Sequence, residues 1–282
     1  MPDFGDRLGA AFESSGQLCL GIDPHGFLLD AWGLPDSASG AREFGLRAVE
    51  SAAGVVSVVK PQVAFFERFG SAGFSALEAT IAAARAASLI VLADAKRGDV
   101  GSTVAAYGEA WLTPGSPLEA DAVTMLAYQG VGSLADPLAL AAAHGKGIFI
   151  LAATSNPESV ATQTARRTRE PFMGATVAAG IVGEVSAANS GAPALGNVGV
   201  VIGATVSMDD YGIDREALAK TPILAPGFGE QGAVLADVGR LYGSVMRNVI
   251  VNVGRSVLRD GNDGLPSRLR GLADELARAT TR

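Results

Sequence analysis

The sequence predicts a (β/α)8 barrel (a TIM barrel), a single domain over residues 1–282. Three observations carry this. Eight short β-branched or apolar runs recur, near residues 18–23, 55–60, 89–94, 121–127, 148–154, 198–203, 222–226 and 248–253. Most are continuous rather than alternating, as parallel strands covered on both faces require. Helical stripes fall between them, such as Phe74, Leu77, Ile81 and Ala84, and later Leu269, Leu272 and Leu276 behind Pro266. Strands alternating with helices imply right-handed βαβ units. Eight such units are the arithmetic of a barrel of about 250 residues. An open doubly wound sheet is the alternative arrangement. The longest interval, between the fifth and sixth runs, holds TARRTREPF and an Ala/Gly/Ser-rich stretch. It is expected to be an insertion with helix around 160–195, not a domain boundary.

Polar groups then collect at one end of the predicted strands. The first run ends in Asp23 and the second in Lys60. The third ends in Asp94 and continues to Lys96 and Asp99. The fifth ends near Thr154 and Ser155, the seventh enters PGFGEQG, and the eighth ends in Gly254 and Arg255. Barrel active sites occupy the C-terminal ends of strands. Any one of these residues could be an ordinary strand-end cap or salt bridge; the set as a whole is harder to explain that way.

DAKRGD is the most informative segment. Strand side chains alternate, so Asp94 and Lys96 share a face and point into the barrel mouth. With Lys60 and Asp99 they form an alternating, formally neutral array that a partly closed site can hold. A structural ion-pair network is the other reading. PGFGEQG places glycines at 227, 229 and 232. The G-x-G-x-x-G pattern suits a dinucleotide fold poorly, because the following strand lacks the terminal acid that such a fold needs. Phosphate binding fits better, since glycines let backbone N–H groups approach an anion. The loops after strands seven and eight are the usual phosphate site of such barrels. Arg255 can add bidentate charge-assisted bonds there, and Gln231 can reach over the anion. A plain turn is the alternative.

Composition narrows the class. Apolar residues are 48% and charged residues 18%, which excludes a disordered chain. The net charge of −7 weighs against a nucleic-acid partner. One cysteine, Cys19, cannot build a disulfide framework and favours a reducing compartment. Cys19 lies inside the first strand and reads as a small core residue. Trp32 and Trp111 read as packing residues. The N-terminal MPDFGDRLGAAFESSG shows no signal-peptide pattern, and the uncharged stretch 185–208 is too polar for a membrane helix. A cytoplasmic location with no membrane partner is expected. His25 and His144 are the only histidines and show no zinc spacing, and there is no G-x-S-x-G elbow.

These segments carry a resemblance. GIDPH at 21–25, KPQVAFFE at 60–67, DAKRGDVGSTV at 94–104, ATSNPES at 153–159, APGFGEQGA at 225–233 and NVGRSV at 252–257 resemble the orotidine 5′-phosphate decarboxylase family, in a longer bacterial branch. The resemblance implies decarboxylation of orotidine 5′-monophosphate to UMP and CO2, the last step of UMP biosynthesis, with no cofactor and no metal. It implies that Lys96 protonates C6, that Asp94 lies beside the substrate carboxylate, and that Lys60 and Asp99 complete a charged tetrad. Asp23 is implied to contact the ribose and Ser155 the pyrimidine edge. Gln231 and Arg255, with Gly254 beside them, are implied to hold the phosphate. Asp99 and Thr103 are implied to reach the partner's site in a homodimer. The stretches 26–40 and 160–195 exceed the shorter family members.

Three other readings share parts of this pattern. A metal-dependent sugar-phosphate decarboxylase of the same superfamily shares D-x-K-x-x-D but has a glutamate where this chain has Lys60. A Schiff-base aldolase could use Lys60 or Lys96, although flanking acids disfavour a neutral amine. The third is a non-catalytic barrel that binds a phosphorylated ligand.

Overall fold

The structure is a computed structural model describing residues 2–280. Within these residues eight parallel strands close into a barrel in chain order, with β8 paired back to β1. They are β1 Leu18–Ile22, β2 Val58–Pro61, β3 Ile90–Arg97, β4 Ala122–Met125, β5 Gly147–Ala153, β6 Val198–Ile202, β7 Ile223–Ala225 and β8 Val249–Val253. All eight expected runs supply a strand, and the open-sheet alternative is excluded.

The boundaries differ where local bonding overrides composition. β2 starts at Val58 rather than 55, because the N–H groups of Val55 and Val56 both turn back to the Ala52 carbonyl. β3 continues past 94 to Arg97, so Lys96 lies inside the strand. β4 stops at Met125, beyond which the Leu126 N–H bonds the Arg97 carbonyl at 2.8 Å as the chain leaves the barrel.

Alternation along the strands builds the interior in layers. The lower layer is apolar: Cys19, Val58, Ile90, Leu92, Ala122, Phe149, Val201, Leu224 and Ile250 form one buried cluster. Continuing up the same faces gives Lys60 on β2, Asp94 on β3, Thr124 on β4 and Asn252 on β8, all buried. Apolar filling below and polar groups above direct the chemistry to the strand C-termini. The lower end is closed by the helix Phe4–Ser15, a feature absent from the sequence reading. Its Phe4 and Leu8 are fully buried in the lower cluster, and Phe4 meets Phe149 edge-on at 5.8 Å. The interior Gly147 makes room for it, since a Cβ there would stand 2.6 Å from the Phe4 ring.

The outer core lies between the strands and the surrounding helices. The striped helix Gly70–Ala86 buries Leu77, Ile81 and Ala84, and the last helix, Leu265–Thr280, buries Leu269 and Leu276. Trp32 and Trp111 are packing residues as expected, at 7% and 2% exposure, and the Trp32 Nε1–H donates to the Leu258 carbonyl.

Within 160–195, the helix Val177–Ala188 packs on β5 and β6. The residues before it form the short helix Ser159–Gln163 and an antiparallel bridge between Arg166 and Thr176. The Phe172 ring lies over Gly183 and the Arg167 side chain over Gly180, at distances that leave no room for a Cβ. The pair of glycines thus gives this segment a seat on the helix. No helix among the described residues is long and apolar enough to cross a membrane.

Candidate active site

A cleft of about 400 Å³ opens at the C-terminal ends of the strands. Its size suits a small-molecule ligand. Asp23, Lys60, Asp94, Lys96, Ser155, Gln231, Gly254 and Arg255 all line it, so eight predicted site residues from six strand ends converge.

The charged wall is built around one carboxylate. Asp94 Oδ2 accepts from Lys60 Nζ at 3.0 Å. Asp94 Oδ1 accepts from Lys96 Nζ at 2.6 Å and from the Thr124 hydroxyl at 2.8 Å. Lys60 also donates to Gln62 Oε1 at 3.1 Å and lies 3.7 Å from Asp23 Oδ1. Burial alone would push the Asp94 carboxyl up; the Lys60 and Lys96 ammonium groups overcome it and hold it far below the usual carboxylate range. Burial alone would push Lys60 down, yet Asp94 and Asp23 hold it above the usual lysine range. Asp94 and Lys60 are therefore held as an ion pair at neutral pH. Exposure divides the two lysines: the Lys60 side chain is 3% exposed and that of Lys96 is 42% exposed. Lys60 is locked into the barrel, and Lys96 is tethered at one side and open to the cleft on the other.

The array departs from expectation in its fourth member. Asp99 forms no ion pair with Lys96 and does not line the cleft. Its Oδ1 accepts from the Val100 N–H at 2.9 Å. Thr103 is exposed on the helix Gly101–Leu112. Both lie beyond the end of β3, where the chain has already turned away from its own barrel mouth. In one chain Asp23, not Asp99, is the second acid near Lys60.

The opposite wall comes from β7 and β8, four strands round the ring from β3 and β4. Gly227, Gly229 and Gly232 have φ of 116°, 79° and 95°, a region that favours glycine. A Cβ on Gly229 would also stand 2.3 Å from Ser256 Oγ, next to Arg255. The loop thus needs glycine for both conformation and approach. Gln231 Oε1 accepts from the Ser155 hydroxyl at 3.1 Å, bridging the β7 loop to the end of β5. Glu230 in the same loop pairs with Arg259. The β5 turn is braced by Gln163, which accepts from Thr154 N–H at 2.9 Å and donates to Thr154 Oγ1 at 3.0 Å.

Sequence reasoning missed Gln62, Thr124 and Asn252 as cleft or wall residues. Gln62 is two residues beyond Lys60 and so on its face. Thr124 is the lone polar residue between apolar neighbours in β4, and Asn252 the lone one in β8. A single polar residue inside a continuous apolar strand was the available signal. Cys19 takes no part: it is buried beneath the site, and burial pushes its thiol up to about 12.

The fold and the cleft define the class: a (β/α)8 barrel with a charged site at its strand C-termini. Residues 16–265 match the family model described as Orotidine 5′-phosphate decarboxylase / HUMPS family, and the chain belongs to that family. It is 49% identical over 276 residues to orotidine 5′-phosphate decarboxylase of Salinispora tropica, across 98% of this chain and 96% of that protein. It is 48% identical over 280 residues to the Streptomyces coelicolor protein of the same name, with the same coverage of 98% and 96%. A crystal structure from Streptomyces avermitilis superposes with a TM-score of 0.94 at 45% identity, over 100% of this chain and 97% of that one. The Leishmania donovani OMP decarboxylase structure gives 0.76 at 27% identity, over 99% and 100%.

Proposed function

We propose that this chain decarboxylates orotidine 5′-monophosphate to UMP and CO2, the last step of UMP biosynthesis. The observation that carries the reading is the Lys60–Asp94–Lys96 chain of contacts, on the wall of a cleft whose other wall is a glycine loop and Arg255. Near-full-length similarity to proteins of that name supports it.

The chemistry follows from charge. Breaking the bond between C6 and its carboxylate releases CO2 and leaves the electron pair in an in-plane orbital at C6, which the ring π system delocalises poorly. A fixed positive charge must meet that pair as it forms. The Lys96 ammonium does so and then gives its proton to C6, completing the C–H bond; solvent returns the proton to the amine. Asp94 fixes Lys96 and lies beside the departing carboxylate. Lys60 holds the other oxygen of Asp94 and, with Asp23, faces the ribose. Ser155 reads the pyrimidine edge. Gln231, Gly254 and Arg255 hold the phosphate, whose binding energy closes the 225–233 loop over the site.

Asp99 and Thr103 are assigned to the site of a second copy in a homodimer. Their position outside their own cleft supports this, as does the exposed apolar set Val100, Leu126 and Tyr128 beside them at the ends of β3 and β4. We place the enzyme in the cytoplasm on its single cysteine. We assign the 160–195 stretch as the branch-specific insertion, with its extra chain in the part before Val177.

A buried cation at Lys60, where a metal-using relative would offer a carboxylate, disfavours a divalent ion at this wall. The test is absorbance-monitored loss of orotidylate by purified protein in EDTA. Full turnover is expected; no turnover until a divalent metal is restored would overturn the reading.

A further inference from the structure

The β3–β4 ladder breaks at the charged wall. Ala93 pairs with Val123, and the next pair is Arg97 with Met125. Asp94, Ala95 and Lys96 therefore face a single β4 residue, Thr124. Bulges of this kind re-aim side chains beside active sites. Here the bulge brings both Asp94 and Lys96 to one hydroxyl. It also leaves the Lys96 backbone at φ 49°, a left-handed conformation costly for a residue with a side chain.

Thr124 resolves the break with its two hydrogen-bonding functions. Its hydroxyl donates to Asp94 Oδ1 at 2.8 Å. The same oxygen accepts from the Lys96 N–H at 3.0 Å, in place of the lost ladder bond. The residue is fully buried, so water offers neither group a substitute. A valine would keep the shape and lose both bonds.

We propose that Thr124 is a positioning residue for the decarboxylation: it holds the Asp94 carboxylate and the Lys96 backbone in one register, and so sets where the Lys96 ammonium stands. This inference rests on the reading of Lys96 as the proton donor to C6. Thr124 is fully buried and does not line the cleft, so its effect falls on kcat and not on nucleotide affinity.

The experiment compares Thr124→Val, Thr124→Ser and Thr124→Ala with the wild-type enzyme, reading kcat, KM for orotidylate and Kd for UMP. Losing a hydrogen bond to a charged group corresponds to a fall of about 10- to 100-fold in kcat for Thr124→Val. KM and Kd should stay within about twofold, and retained UMP binding shows that the variant is folded. Thr124→Ser keeps the hydroxyl and should recover most of the rate. If the valine variant does not fold, the serine and alanine variants carry the test: serine should be clearly faster. The inference is overturned if Thr124→Val turns over at the wild-type rate, if serine falls as far as alanine, or if the loss appears in Kd alone. A wild-type enzyme inactive on orotidylate would instead overturn the functional reading itself.

Discussion

Asp94 and Lys96, two residues apart on β3, are joined at 2.6 Å, although the carboxylate is buried and the ammonium side chain is 42% exposed. The anion is fixed by the barrel, and the cation is fixed by the anion. This asymmetry suits an acid that must be held in place yet meet a ligand.

Asp94 is also coupled to stability. Its folded-state carboxyl titrates far below its ordinary value of 3.8. A depressed folded-state pKa contributes stability that is present above the unfolded value and lost as pH falls through the folded one. Asp94→Asn should lower stability at pH 7 by about 3–5 kcal/mol, because Lys60 is left buried without its main partner. The gap from wild type should narrow below about pH 4, where the unfolded wild-type chain takes up the proton. Urea melts across pH 3 to 8 check this. A gap that stays constant through the acid range contradicts it.

Arg255 sits on the wall assigned to the phosphate. Arg255→Ala should weaken UMP by about 2–3 kcal/mol, the scale of a charge-assisted contact, and barely change uridine. Calorimetry with both ligands decides. Equal losses for the two would remove the phosphate from this wall.

Asp99 and Lys96 offer a test of shared sites. Lys96→Ala and Asp99→Ala should each be nearly inactive alone. Mixing them with subunit exchange should restore about a quarter of wild-type activity, because half of the dimers are mixed and each carries one intact site. No recovery after verified exchange would place both residues in one subunit's site.

Much of this molecule is legible in its sequence. Continuous apolar runs such as IFILAA declare covered parallel strands, and alternation puts Lys60, Asp94 and Lys96 on inward faces. The hidden parts depend on pairing across strands. Alternation predicts that Asp94 and Lys96 share a face, but not the bulge opposite Thr124 that brings them together. Asp99 follows them in DAKRGD, yet the strand ends at Arg97, which leaves Asp99 off the strand and out of its own cleft. The helix carrying Phe4 and Leu8 contains Gly5 and Gly9, which are weak helix formers, and its burial under the barrel depends on contacts far along the chain.

The most direct measurement is single-turnover decarboxylation of orotidylate by Lys96→Ala, alongside its affinity for UMP. The account predicts a rate lower by about 10⁴-fold or more, from losing both the acid and the charge that meets the carbanion, with UMP still bound. A variant that decarboxylates at near the wild-type rate would contradict it.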